Sequence, residues 1–458
     1  MLRLFKSNDP YLLIVVFVVL LIIRLIGWIY GFPYSEFELK WMLVGERLAN
    51  GFDMYSETYD FTAPLSALTY KLLHFIGGRG RVLPQVLGMI FIIVQAGILN
   101  SILLRNKAFD DNNYLPSLFY VLLATAIADS AVLSPVLMSM TFILLALNNI
   151  FRRIDNEVKD ELFLYAGLYL GVAALFYLPA AAFFIIFLLS LLLFSSPALR
   201  RLLLFFYGLL LPYLICLGIY YTSDQHWDFM DSYFRGWFNA TAIATSWSLL
   251  LKNISGAFAM LAFLIIAVMV RLRLTNYQEK ILQVMLLLVV GAAMAVWADV
   301  DLGVHQMILL VPTLSFFLTH YISTLSRRFW KLVMPYVLVG ILLIAPYLFY
   351  GNQEKRYPAY ERRPDTSKLV IGSDLSVYND FEIGGPFIDE KLSRYWIGRL
   401  NYYQSAEKIF ETLDKSAPDI IEDEWNVLDS VFTRLPLLER NYTMDGNRYL
   451  RNSETLTP

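Results

Sequence analysis

FTAPLSALTYKLLHFIGG (61–78) is the stretch on whose reading the fold turns. It is apolar enough to suggest a membrane crossing, yet it is short and carries Lys71 and His74. A helix that spans the hydrocarbon layer needs about 20 apolar residues. Counted as a span, this stretch would move Arg105 to the other side and invert every later turn. We therefore read it as a helix that lies at the membrane interface or re-enters it.

On both sides of it the chain is built of long apolar runs. The 458 residues are 57% hydrophobic and only 17% charged, with a mean hydropathy of +0.53. Runs at 11–30, 82–104, 115–131, 134–151, 162–178, 180–196, 202–221, 254–270, 281–298, 304–323 and 332–350 give about eleven spans. The expected fold class is an all-α polytopic membrane protein with juxtamembrane helices in its first loop. The first run lacks a small-residue cleavage site and reads as a retained span rather than a signal peptide.

Lysine and arginine orient the spans, because cytoplasmic loops carry an excess of both. With a cytoplasmic N-terminus, Arg3, Lys6, Arg105, Lys107, Arg152, Arg153, Lys159, Arg200 and Arg201 lie inside. So do Arg271, Arg273, Lys280, Arg327, Arg328 and Lys331. The turns near Asp129, Pro179 and Asp299–Asp301 contain neither residue type and lie outside. This frame leaves Lys40, Arg47, Lys71, Arg79 and Arg81 outside, in the first loop, 31–81. They either bind an anion such as a phosphate, or sit at headgroup level paired with nearby carboxylates.

After Tyr350 the composition becomes polar, so the expected division is 1–350 in the membrane and 351–458 as a small extracytoplasmic α/β domain. KLVIGSD (368–374) and APDIIED (417–423) read as strands, and SAEKIFETLDKSA (405–417) and EWNVLDSVFTRL (424–435) as helices. RNYTMDGNRYLR (440–451) reads as a hairpin turning at Asp445-Gly446. No Gly-rich phosphate loop follows the first strand, which argues against nucleotide binding. The net charge of −2 and the lack of a basic domain argue against nucleic acid. Cys216 is the single cysteine, which excludes an intramolecular disulfide. Sequons at Asn239, Asn253 and Asn441 carry no information without the compartment.

Several residues suit chemistry at a membrane surface. Glu36 and Glu38 follow the first span and open the amphipathic stretch EFELKWMLVGERLANG (36–51), in which Phe37, Trp41, Val44 and Leu48 share a face. A carboxylate at Glu36 is suited to act as a general base or to bind a divalent cation. Equally, it is suited to favour the helix N-terminus by its charge. Asp129 is either a second acidic site residue or a solvated turn residue. Asp299 and Asp301 near His305 form a loose pattern for a metal or an amino-sugar, or a hydrated turn. His226, in DQHWDFMDSYF (224–234), has the aromatic company of an interface belt or of a sugar site. His320 reads as structural. Arg24, within the first span, either faces a cavity or partner or snorkels to the headgroups.

Several segments together carry a family resemblance. An acidic residue follows span one, then come LANGFDMY (48–55), Tyr59-Asp60 and Ala63-Pro64-Leu65. GRGRVLPQVLG (78–88), LYAGLYLGVAALFYLPA (164–180), GVHQMILLVPTLSFFL (303–318), and LDKSAPDIIEDE (413–424) with NRYLR (447–451) follow in order. The pattern resembles the GT-C superfamily, polytopic glycosyltransferases that include protein mannosyltransferases and aminoarabinose transferases of lipid A. The resemblance implies a polyprenyl-phosphate sugar donor bound above the outer leaflet of the cytoplasmic membrane. It implies Glu36 as the catalytic base, with Asp129 as a second acidic residue. Arg79 and Arg81 are then the phosphate contacts, and Arg24, Glu38, Tyr59, Asp60 and His305 further substrate-binding candidates. Transfer would proceed with inversion to an acceptor left unspecified, with no certain cofactor beyond a possible divalent cation. Two departures stand out: Phe37 follows Glu36 where many members have Asp-Glu, and Phe176-Tyr177 stands where many carry a lysine. They leave a catalytically silent assembly partner as the alternative reading, with a lipid-linked-sugar transporter as a third.

Overall fold

The computed structural model describes residues 5, 9–30, 34–154, 159–195, 198–235, 259–269, 274–325, 333, 337, 340, 341, 366–445 and 448–452. The fold is mostly helical, with a small sheet near the C-terminus. Two compact units are built from interleaved stretches of chain. The first comprises 1–32, 84–216 and 245–354, and the second 33–83, 217–244 and 355–458. The second unit thus groups the loop after the first span with the polar tail.

α1 (Leu12–Tyr30), α4 (Val82–Arg105), α5 (Leu115–Ala126), α6 (Pro135–Ile154), α7 (Glu161–Phe176), α8 (Ala182–Ser195) and α9 (Leu199–Thr222) correspond to the first seven predicted spans and belong to the first unit, apart from residues 82–83 of α4 and 217–222 of α9. Among all described helices, Val82–Arg105, Pro135–Ile154, Leu199–Thr222, Asn276–Trp297 and Val304–Thr324 are long and apolar enough to cross a membrane. Leu12–Leu25, Leu115–Ala126, Glu161–Phe176, Leu178–Phe194 and Ala259–Met269 are apolar but shorter. The last predicted span, 332–350, falls largely outside the described residues, as do Asn239 and Asn253.

Predicted span 115–131 is helical only to Ala126 and continues as a 3-10 turn, Ala128–Ala131. Ser130 explains the break: its hydroxyl donates to the carbonyls of Ala124 and Ile127, satisfying groups the helix end leaves open. The glycines of α7 have a packing role. A Cβ at Gly167 or Gly171 would run into the backbone of α9 at Phe205 or Leu209, so these helices pack in near-backbone contact.

The second unit begins with α2 (Glu36–Ala49), capped by Ser35, whose hydroxyl accepts from the Glu38 amide at 3.2 Å. Trp41, Val44 and Leu48 are buried, but so are Glu38, Glu46 and Arg47, so α2 is enclosed on all sides where the amphipathic pattern predicts one buried face. α3 (Pro64–Gly77) is the helix of the deciding stretch, opened by Pro64 and ended at Gly78, whose φ of +56° favours glycine. It has 14 residues and is not among the helices fit to cross a membrane. α2 and α3 cross closely: the rings of Trp41 and Tyr70 stack at 6.1 Å, and a Cβ at Gly45 would sit 2.5 Å from the Tyr70 carbonyl oxygen.

The tail supplies a five-stranded sheet in the order β2-β1-β3-β5-β4. β1 (Ser367–Ile371) pairs in parallel with β2 (Glu382–Ile383) and β3 (Ile420–Asp423). The helix Tyr403–Ser416 lies on the crossover to β3. β4 (Tyr442–Asp445) and β5 (Arg448–Arg451) form the antiparallel hairpin that RNYTMDGNRYLR predicts, with Gly446 outside the described residues. The two-residue β2 has no sequence signal; at that length alternation cannot register.

Candidate functional site

Within the second unit, Glu36 is the first residue of α2 and its carboxylate is exposed. Two residues on, Glu38 is buried and accepts both donors of a forked pair from Arg81, at 2.6 Å from Nε and 2.7 Å from Nη2. The Arg81 guanidinium also lies over the Tyr34 ring at 4.4 Å. Burial raises the Glu38 carboxyl above its usual range, and Arg81 opposes that rise by charge and hydrogen bonding.

Arg79 is also engaged in a pair. Nη2 lies 2.5 Å from Glu46 Oε1, and the guanidinium donates to the carbonyls of Tyr378 and Phe381. The pair is buried on both sides and joins α2 to the segment before β2. Lys40 is a third bridge, 2.5 Å from Asp389 and 3.3 Å from Asp60. Asp60 is buried and accepts from the Thr62 amide and hydroxyl, which shapes the entry into α3. Tyr59 is buried too. Its amide donates to Pro386, its carbonyl accepts from Asp389, and its ring stacks on Trp396 at 5.5 Å. Burial raises its phenol far above the ordinary range. His226 lies in the same unit, within ring contact of Tyr221 and Trp227.

The first unit holds the other candidates. Arg24 Nη2 donates to the Ser130 carbonyl at 2.8 Å and to its hydroxyl at 3.2 Å, tying α1 to the turn that carries Asp129. The Asp129 side chain lies outside the described residues. Asp299 is buried, and it accepts from Tyr177 Oη at 2.5 Å, from Gln306 Nε2 and from the Asp301 amide. Burial pushes its carboxyl up to about 7, against the pull of Tyr177. His305 is buried on the 3-10 segment Val304–Leu310. No group of three or more metal-ligating side chains occurs among the described residues, so the Asp299–Asp301–His305 pattern does not form a metal cluster. His320 packs between Phe109 and Phe316, consistent with a structural role.

The structure thus brings together Glu38 with Arg81, and Asp60 with Lys40 and Asp389, inside one unit. Lys40 and Asp389 carry no local signal as partners, being 349 residues apart in sequence. Of the two side chains that hold Asp299, Gln306 is a near neighbour seven residues on, whereas Tyr177 is 122 residues away and carries no local signal.

Residues 65–253 match a model of a family of unknown function, DUF6427. No curated protein matches the sequence. Among solved structures, the chain is similar to ArnT from Cupriavidus metallidurans bound to undecaprenyl phosphate, with a TM-score of 0.53 and 12% identity. That likeness covers 94% of this chain and 89% of ArnT. A more distant similarity is to the archaeal oligosaccharyltransferase AglB from Archaeoglobus fulgidus in complex with an inhibitory peptide and a dolichol-phosphate. There the TM-score is 0.43 and the identity 9%, over 98% of this chain and 75% of that one. The chain thus shares the fold of ArnT at low sequence identity, in line with the fold the motifs led us to expect.

Proposed function

We propose that this protein is a membrane glycosyltransferase of the GT-C type, moving a sugar from a polyprenyl-phosphate-linked donor to an acceptor on the outer side of the cytoplasmic membrane. The observation that carries the reading is the first turn of α2: Glu36 is exposed there while Glu38, two residues on, is buried against Arg81. The fold likeness to an ArnT bound to undecaprenyl phosphate supports the donor class.

In this reading Glu36 takes the proton from an acceptor hydroxyl or amine. The acceptor atom attacks the anomeric carbon, the bond from that carbon to the phosphate oxygen breaks, and the lipid phosphate leaves with the bonding pair. The configuration inverts. The departing phosphate needs a cation. Arg81 and Arg79 are the candidates, and each would exchange part of its carboxylate contact for phosphate oxygens. Arg24 acts as a positioning residue through Ser130 for the turn of Asp129. Tyr59, Asp60 and Glu38 shape the loop, and His305 remains a substrate-side candidate. The N-terminus is cytoplasmic and the tail extracytoplasmic in this arrangement. Purified protein, given polyprenyl-phosphate sugars, transfers sugar, and Glu36→Gln lowers the rate about 10²- to 10⁴-fold. Undiminished transfer by the variant removes Glu36 as the base.

One observation favours a second reading, a non-catalytic assembly partner: Arg79 and Arg81 are both held by carboxylates. Stable co-purifying protein partners, with no bound polyprenyl phosphate and no transfer by the wild type, would select it.

A further inference from the structure

We infer that the second unit carries a headgroup site for an aminophospholipid, formed between α2, the end of α3 and β2. A cavity of about 340 Å³ is lined there by Glu46, Asn50, His74, Phe75, Arg79 and Glu382. Its charges do not cancel. Arg79 is matched by Glu46. Glu382 accepts a hydrogen bond from Asn50 Nδ2 at 2.7 Å and meets no cation among the described residues. The lining groups of fixed charge therefore leave one carboxylate in excess, with the His74 imidazole beside them. A primary ammonium suits that carboxylate, since its three N–H donors match the acceptor capacity Glu382 keeps beyond Asn50. Phe75, 84% exposed at the rim, offers its ring to the same cation.

The source of that ammonium is set by the surface around the cavity. Leu68, Leu72, Phe75 and Ile76 of α3 are exposed, at the spacing that places them on one helix face. The chain runs from Gly78 through Arg81 directly into α4, a helix long and apolar enough to span a membrane. An apolar face so near in sequence to a span lies in the acyl layer, with the cavity at headgroup depth. Lys71, one turn before Phe75, is exposed with no ion pair among the described residues and is suited to the lipid phosphate. An anionic headgroup without an amine would meet Glu382 unfavourably.

The test is native mass spectrometry of the full chain, given an equimolar mixture of phosphatidylethanolamine and phosphatidylglycerol. Wild type retains the ethanolamine lipid about tenfold over the glycerol lipid. Glu382→Gln, which keeps an acceptor for Asn50, brings that ratio close to one at an unchanged thermal midpoint. Soluble glycerophosphoethanolamine at equal concentration leaves the bound lipid in place, and Phe75→Ser reduces retention of both lipids. Equal retention by the wild type, or an undiminished preference in Glu382→Gln, overturns the site. Full displacement by glycerophosphoethanolamine overturns the lipid as its occupant.

Discussion

Glu38 in the second unit and Asp299 in the first are both buried carboxylates, and they are satisfied by different means. Glu38 faces a guanidinium that donates twice in parallel. Asp299 faces a phenol, a carboxamide and a backbone amide, all neutral donors. Burial raises both carboxyl groups. Only for Glu38 does a full opposite charge work against the rise. An ion pair ties a loop together through charge; neutral donors tie a turn together while letting it take up a proton near neutral pH.

The sharpest break of this comparison is Arg81→Leu. It leaves Glu38 buried without its cation, and loss of one partner of a buried pair costs about 3–5 kcal/mol. Chemical denaturation of the detergent-solubilised protein should show that loss, and Glu38→Gln/Arg81→Leu together should recover part of it. Lys40→Met comes next. Asp60 and Asp389 then face each other without the ammonium but keep their own amide donors, so a cost of about 2 kcal/mol is expected.

Asp299→Asn tests the neutral-donor side. The folded carboxyl, near pH 7, lies above the ordinary aspartate value, so the native state holds the proton more tightly than the unfolded chain. Wild-type stability therefore falls as pH rises from the unfolded value towards 7, by up to about 1.4 kcal/mol per unit. The asparagine variant lacks this fall, and its advantage in thermal midpoint should grow across that window and level off above it. A constant difference from pH 4 to 8 would sink the idea. Tyr177→Phe should move the end of the window to higher pH, because it removes a donor that favours the ionised form. The smallest effect on stability is expected for Glu36→Gln, since the side chain is exposed. An unchanged midpoint with lost transfer would separate Glu36 from Glu38 most cleanly.

Much of this was legible from residue order. Pro64 and Gly78 bound α3, and Lys71 with His74 marked it as too short and too polar for a span. Trp41, Val44 and Leu48 are buried as their spacing suggested, while the burial of Glu38, Glu46 and Arg47 on the same helix was not legible. KLVIGSD and APDIIED gave the central strands. The site was less legible. Glu36 and Glu38 look alike in sequence, and only the placement of Arg81 makes one of them a buried partner. Arg79 and Arg81 read either as open to an anion or as paired with nearby carboxylates, and nothing local names Glu46 or the carbonyls of Tyr378 and Phe381 as the partners. Tyr177 gave no sign that its hydroxyl would meet Asp299.

Sequence alone determined the apolar helices, the shortness of α3 and the α/β pattern of the tail, since each follows from local periodicity and from the cost of burying charge. Tertiary structure alone decided which charges cancel: Glu38 with Arg81, Glu46 with Arg79, Lys40 between Asp60 and Asp389. Those pairings depend on distances of a few ångströms between groups far apart along the chain, and Coulomb energy depends on distance in space, whatever the separation in sequence.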